Sequence, residues 1–90
     1  MEVTGTIKVL NLNQQVSASY SKSEVVIETS EQYPQSILIE FGGQKSDLLD
    51  PYKVGENVTV SINLRGREWI NPQGESKYFN SIQGWKIQRN

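Results

Sequence analysis

The sequence predicts an all-β fold, in which five strands close into a small Greek-key barrel with one short helix between strands three and four. Two observations carry this prediction. Apolar and polar residues alternate with a period of two in several segments, which is typical of strands buried on one face. The chain has 90 residues without an internal repeat or a linker-like stretch, which is the size of a single domain, residues 1–90.

The first two strands follow from this alternation. Residues 2–9 alternate between polar and apolar or small side chains, and the polar stretch Asn11–Ser19 is predicted to end the strand. The alternation resumes in Lys22–Thr29, where Val25 and Ile27 are predicted to point inward.

The third strand and the helix are bounded by turn residues. A turn at Glu31–Pro34 leads into the strand Ser36–Phe41, which Gly42-Gly43 ends. The segment Gln44–Leu49 has the chain's helical character, and Asp50-Pro51 closes it because proline disfavours helix in the residue before it.

Strands four and five form the C-terminal hairpin. After a turn at Tyr52–Glu56, every second side chain from Val58 to Leu64 is apolar and is predicted to face the core. The turn-forming sequence Asn71–Gly74 separates this strand from the last one, Ser76–Gln88.

A bulge is predicted in strand five, because its apolar residues change parity. Ile82 and Trp85 lie on opposite faces of a regular strand, and a bulge near Gln83-Gly84 would bring both onto the core face. Trp85 and Ile87 are therefore expected in the core, together with Phe41 of strand three.

This order of elements is the layout of the OB-fold, a five-stranded Greek-key barrel that binds oligonucleotides or oligosaccharides. An SH3-like barrel is the alternative. The position of the helix, the long first strand and the terminal hairpin favour the OB-fold.

The composition argues against an enzyme. The chain has no Cys and no His, which removes thiolate nucleophiles, the usual general base near neutral pH and the commonest metal ligands. Asp47 and Asp50, three residues apart, are the one candidate for a cation site, but such pairs usually form a solvated helix face. We therefore expect no catalytic residues, metal or cofactor.

The N-terminal sequence indicates where the protein is found. Met1 is followed by Glu2 and a strand-like run, without the basic and long apolar regions of a secretory signal. The longest apolar run, Ile37–Ile39, is far too short to span a membrane. We expect a cytoplasmic protein without membrane contact.

Charge is divided unevenly along the chain. Residues 1–51 carry three Lys against seven acidic residues, a net charge of −4, whereas residues 52–90 carry a net charge of +3 and all three Arg. The division fits either an ordinary mixed surface or a local cationic groove.

Aromatic residues beside these cations favour the groove. If the alternation of strand four continues, Arg65, Arg67 and Trp69 lie on the face opposite the core. Cations that contact phosphates and aromatic rings that stack on bases are the combination that holds single-stranded nucleic acid. The alternative is that Trp69 packs across the hairpin against Tyr78 and contributes to folding alone.

The same residues resemble a known family. The run Arg65–Trp69, followed by Asn71–Tyr78, is similar to the bacterial and phage single-stranded DNA-binding protein family. The runs Glu28–Pro34, Asp47–Leu49 and Gly84–Ile87 are similar to a family of short, functionally uncharacterised bacterial domains with an OB-like fold.

The resemblance implies binding of single-stranded DNA, with RNA as the alternative, and predicts which residues bind it. Trp69 would stack on bases, and basic residues of the hairpin would contact phosphates. The residues implied are Tyr20, Lys22, Arg65, Arg67, Trp69, Lys77 and Tyr78. Few basic groups are available per chain, so we expect salt-sensitive binding by a homo-oligomer.

Two further expectations concern partners. The sequence ends at Asn90 without the glycine-rich linker and acidic tail of housekeeping family members, so recruitment of partner proteins through such a tail is not expected. The alternative function is an OB-type protein-interaction or oligomerisation module that binds no nucleic acid, since Trp, Tyr and Arg are also favoured at protein interfaces. A carbohydrate site would use an exposed Trp but has no need of Arg65 and Arg67.

Overall fold

The computed structural model describes residues 1–90 and contains five strands and one 3₁₀ helix. The helix lies between the third and fourth strands, as the sequence predicts. The elements are β1 (Glu2–Ser17), β2 (Tyr20–Thr29), β3 (Ser36–Gly42), the 3₁₀ helix (Gly43–Leu49), β4 (Asn57–Ile70) and β5 (Ser76–Arg89).

The strands form a closed barrel in the order β1-β2-β3-β5-β4. β1 pairs antiparallel with both β2 and β4, and β4 pairs antiparallel with β5 over almost its full length. A short parallel contact between Glu40 of β3 and Gln83 of β5 closes the barrel. This is the Greek-key order of the OB-fold, so the predicted fold is confirmed.

The core contains the residues that the alternation selects. Phe41 is completely buried, as predicted, and the side chains of β4 alternate inward up to Ile62. The buried hydrophobic residues are Val3, Ile7, Val25, Ile27, Ile39, Phe41, Leu49, Val58, Val60 and Ile62.

The bulge in β5 lies one residue later than predicted and turns Trp85 outward. Ile62 pairs with Gly84 but Ser61 pairs with Lys86, so Trp85 is the extra residue of β5. Ile82 and Ile87, which differ in parity, both pack against the core, whereas Trp85 is 44% exposed. The prediction that Trp85 belongs to the core is therefore wrong.

Gly84 is required by the packing of Phe41. A Cβ atom at position 84 would overlap the Phe41 ring, because the ring fills the space that a side chain would need. We expect Gly84→Ala to lower the free energy of unfolding by about 1–3 kcal/mol, the usual cost of an overpacked core.

Urea unfolding of two glycine variants measures this cost. Gly66→Ala is the matched control, since its Cβ would lie 3.2 Å from the end of the Asn80 side chain and 4.0 Å from the Phe79 carbonyl oxygen, without overlap. Equal urea midpoints for Gly84→Ala and the wild-type protein would contradict this account of the core.

The sequence predicted that β1 would end at the polar stretch Asn11–Ser19. Instead, the strand continues to Ser17. It pairs with β2 through register irregularities between Asn11 and Ser17, and Asn13 adopts a positive φ of 54° while its backbone N–H donates to Ser23 Oγ. Most side chains beyond Val9 are exposed, so this part of the strand needs no apolar face.

The β4–β5 hairpin also extends beyond the core. Leu64, predicted to face inward, is 65% exposed, because the buried part of β4 ends at Ile62. From Leu64 to Ile70 the strand pairs only with β5, and both of its faces are accessible. The hairpin therefore presents two separate surfaces.

Candidate nucleic-acid interface

One surface of the hairpin carries the predicted basic and aromatic residues. Residues directly opposite each other in an antiparallel pair share a face. In the register of β4 and β5, Arg65 is opposite Ser81, Arg67 is opposite Phe79 and Trp69 is opposite Lys77. We call this surface the basic face, and it contains Asn63, Arg65, Arg67, Trp69, Lys77, Phe79, Ser81 and Gln83.

The other surface carries apolar and polar side chains, namely Leu64, Glu68, Ile70, Ser76, Tyr78, Asn80 and Ile82. Tyr78 is opposite Glu68, and its hydroxyl donates a hydrogen bond of 2.8 Å to Glu68 Oε2. The alternative in which Trp69 packs across the hairpin against Tyr78 is therefore wrong, because the sheet separates Tyr78 from Trp69 and from the predicted basic residues of the hairpin. We call this surface the apolar face, with exposed Leu64, Ile70 and Tyr78.

The turn of the hairpin sets this register. The side-chain oxygen of Asn71 accepts hydrogen bonds from the backbone N–H groups of Gln73 and Glu75, and its backbone oxygen accepts one from Gly74. Gly74 adopts a φ of +83°, which glycine tolerates best. Ile70 consequently pairs with Ser76, and all pairs along the hairpin follow.

A groove of about 540 Å³ runs along the basic face. The Arg67 guanidinium lies over the Phe79 ring, with Cζ 5.3 Å from the ring centroid, so the cation and the aromatic ring form one surface. Trp69 is 45% exposed further along the same face. The residues that line this hairpin groove are Arg65, Gly66, Arg67, Phe79, Asn80, Ser81 and Gln83.

A second pocket, of about 280 Å³, lies where the hairpin meets the end of the barrel. It shares Arg65 and Gln83 with the hairpin groove, so the two cavities are continuous. The residues that line this barrel-end pocket are Tyr20, Gly42, Gly43, Lys45, Asn63, Arg65, Gln83, Gly84 and Trp85. Neither cavity contains an acidic residue in its lining.

The cations of these cavities have no carboxylate partner. The ion pairs of the protein use Lys8, Lys22 and Arg89, all outside the two cavities. Arg65, Arg67 and Lys45 form no ion pair, and neither does Lys77 of the basic face. Their charges are therefore available to an anionic ligand.

Lys22 differs from the other predicted basic residues because two carboxylates already hold it. Its Nζ lies 3.2 Å from Glu40 Oε1 and 3.3 Å from Glu24 Oε2. The hydrogen bond to Glu40 raises the pKa of Lys22 above its ordinary value of 10.5, against an opposing effect of desolvation. Tyr20, by contrast, lines the barrel-end pocket, where its hydroxyl lies against Gly42.

Lys22→Met is therefore expected to leave the affinity for an oligonucleotide within about twofold of wild type, since the Lys22 charge is already neutralised locally. The measurement is the slope of log affinity against log salt concentration. A slope reduced by about 0.7, the value of one phosphate contact on a single strand, would show instead that Lys22 contacts the ligand.

Several residues of the two cavities were missed by the sequence analysis, among them Phe79, Trp85 and Lys45. Phe79 follows from Arg67 once the hairpin register is known, because the two are cross-strand partners. Trp85 depends on the position of the bulge. Lys45 lies in the 3₁₀ helix, and the period of strands gives no signal for it.

The structure was also searched for a metal site and for a membrane-spanning helix. The structure contains no group of three or more His, Cys, Asp or Glu side chains placed to hold a metal ion, and Asp47 and Asp50 form no such group. Its one helix is too short to cross a membrane.

The closed strand order and the helix between β3 and β4 define an OB-fold domain. The chain belongs to the family described as a domain of unknown function, DUF3127, whose model matches residues 2–88. The predicted resemblance to short domains with this fold is thereby confirmed.

A solved structure with a similar fold is that of a mitochondrial single-stranded DNA-binding protein from S. cerevisiae, Rim1. The TM-score is 0.66 and the sequences are 17% identical, with 99% of this chain and 91% of that chain covered. At this identity the likeness shows the fold. No curated protein has a significant sequence match to the chain.

Proposed function

We propose that the protein binds single-stranded DNA along the basic face of the β4–β5 hairpin, with little dependence on sequence and without catalysing a reaction. The observation that carries the proposal is the segregation of the hairpin surfaces. Arg65, Arg67 and Lys77 share one face with Trp69 and Phe79, and no acidic residue lies on that face.

The chemistry of this face suits a single strand. The guanidinium groups of Arg65 and Arg67 donate hydrogen bonds to phosphate oxygens, and binding releases the counterions condensed on the strand. Trp69 and Phe79 offer rings to unstacked bases, which every base accepts because each has a π face. A duplex keeps its bases stacked inside, so it gains the phosphate contacts but not the stacking.

The comparison with known structures supports the proposal at the level of fold. The similar structure from S. cerevisiae is described as a single-stranded DNA-binding protein, and the OB-fold commonly binds oligonucleotides. The absence of Cys and His from the sequence supports a binding role rather than a catalytic one.

A titration of a fluorescently labelled oligo-dT of about 20 nucleotides, followed by anisotropy, tests the proposal. We expect saturable binding that weakens steeply between about 50 and 200 mM salt, and weaker binding of a duplex of the same length. Equal affinity for duplex and single strand would show that only the phosphate contacts contribute to binding and that no base stacks on the protein. No binding at low salt would overturn the proposal.

The apolar face favours a second candidate function, contact with another protein chain. Leu64, Ile70 and Tyr78 are exposed there, and Leu38 and Ile82 line an adjacent groove of about 390 Å³. We propose that a second copy of the chain covers this face, which would place two basic faces on one strand. If the protein self-associates but binds no oligonucleotide at any salt concentration, the interaction module is its function.

A further inference from the structure

We propose that the barrel-end pocket is a subsite for one nucleobase, with Trp85 as its stacking surface and the amides of Asn63 and Gln83 as hydrogen-bonding partners of the base edge. This inference rests on the proposed binding of a single strand. It adds that one nucleotide of the bound strand is held more selectively than the others.

Three glycines are among the residues that line the pocket. Gly42, Gly43 and Gly84 contribute backbone without side chains, and the bulge after Gly84 turns Trp85 toward the outside of the barrel. Trp85 and Tyr20 are 44% and 42% exposed, so part of each ring is accessible. Large aromatic surfaces left accessible beside a cavity are suited to stacking on a flat ligand.

The side-chain amides of Asn63 and Gln83 add hydrogen-bonding groups to the pocket that are not needed to bind phosphate. Asn63 and Gln83 are direct cross-strand partners, so their side chains lie side by side on one face. Neither takes part in a side-chain hydrogen bond within the protein. Each amide offers a donor and an acceptor, the pattern that reads the edge of an unstacked base.

The cations connect this pocket to the hairpin groove. Arg65 lines both cavities, and Lys45 lies on the barrel side of the pocket without an ion-pair partner. A strand bound along Arg67 and Arg65 therefore continues toward Lys45 on a surface free of acidic residues. The base of the nucleotide between Arg65 and Lys45 would enter the pocket.

The test compares the affinities of the wild-type protein and its variants for dT, dA and dC homopolymers of about 20 nucleotides. For Asn63→Ala/Gln83→Ala we expect the ratio between the strongest and weakest homopolymer to fall by about fivefold. The cost of unstacking each homopolymer is the same for both proteins, so a changed ratio reports base contacts. Gln88→Ala, an exposed amide on β5 outside both cavities, is the matched control.

The stacking role is tested separately. Trp85→Ala is expected to weaken binding about tenfold, and Trp85→Phe to restore most of the affinity. Tyr33→Ala is the matched aromatic control, since Tyr33 is exposed in the β2–β3 connection and lines no cavity. The urea midpoint of each variant identifies any loss of affinity caused by unfolding.

The outcomes separate this inference from the proposed function. If Arg65→Ala/Arg67→Ala loses affinity while the Trp85 and amide variants bind every homopolymer as wild type does, the hairpin interface stands and the base subsite is overturned. If the wild-type protein binds no oligonucleotide at low salt, both proposals fall.

Discussion

Replacement of both arginines of the hairpin groove is expected to remove much of the affinity for single-stranded DNA. Arg65 and Arg67 have no ion-pair partner, and we assign each one phosphate contact. One contact on a single strand contributes about 0.7 to the slope of log affinity against log salt concentration, so Arg65→Ala/Arg67→Ala should lower the slope by about 1.4. The loss of affinity should be on the order of tenfold or more near 50 mM salt and should shrink as salt rises.

A control with the same change in net charge makes this result interpretable. Lys8→Ala/Lys53→Ala also removes two positive charges, and neither residue lines the hairpin groove or the barrel-end pocket. We expect its salt slope to equal that of wild type. A similar decrease in both double variants would mean that overall charge, rather than a defined site, determines binding.

Truncation of Trp69 is expected to have the second large effect. The ring is 45% exposed on the basic face and packs outside the core, so Trp69→Ala should leave the unfolding transition almost unchanged. Loss of a base stacked on the ring costs about 1–3 kcal/mol, which corresponds to a decrease in affinity of about 5- to 150-fold. The salt slope should stay at the wild-type value, because no phosphate contact is removed.

Tyr78→Ala is the matched control for the two faces of the hairpin. Tyr78 is an exposed aromatic residue on the same two strands, but it lies on the apolar face beside Glu68. Its truncation should change the affinity by less than about twofold in the same titration, with the oligomeric state of both proteins measured by sedimentation and found equal. A loss equal to that of Trp69→Ala would contradict the assignment of binding to the basic face.

Most of the barrel could be predicted from the sequence because alternation reports burial. One face of β4 packs against the core, so every second residue, namely Val58, Val60 and Ile62, is apolar and buried. The alternation no longer indicates burial where a strand extends beyond the core. Leu64 continues the apolar pattern but is exposed, and β1 continues beyond Val9 without any pattern because both of its faces meet solvent.

The basic face was predicted only in part, because its composition depends on the register of the hairpin. A shift of one residue moves every side chain of a strand to the other face. The turn at Asn71 places Lys77 opposite Trp69, whereas the alternative left open by the sequence paired Trp69 with Tyr78. Arg65, Arg67, Trp69 and Lys77 share one face, whereas Tyr78, which was grouped with them, lies on the other face.

The barrel-end pocket could not be predicted from local patterns. Its lining comes from four separate parts of the chain, and it includes Trp85, the extra residue of a bulge that follows Gly84, which lies against Phe41. Such a fit between distant residues has no signature in the alternation of either strand. Trp85 was assigned to the core for this reason.

The most direct test of the central claim is a titration of the intrinsic tryptophan fluorescence of the wild-type protein with oligo-dT of about 20 nucleotides at low and moderate salt. Trp69 and Trp85 are the only tryptophans, and both are exposed beside the cavities proposed to bind the strand. Saturable quenching that weakens as salt is raised is the predicted result. Unchanged fluorescence at low salt, with no change in anisotropy of the labelled oligonucleotide, would contradict the account.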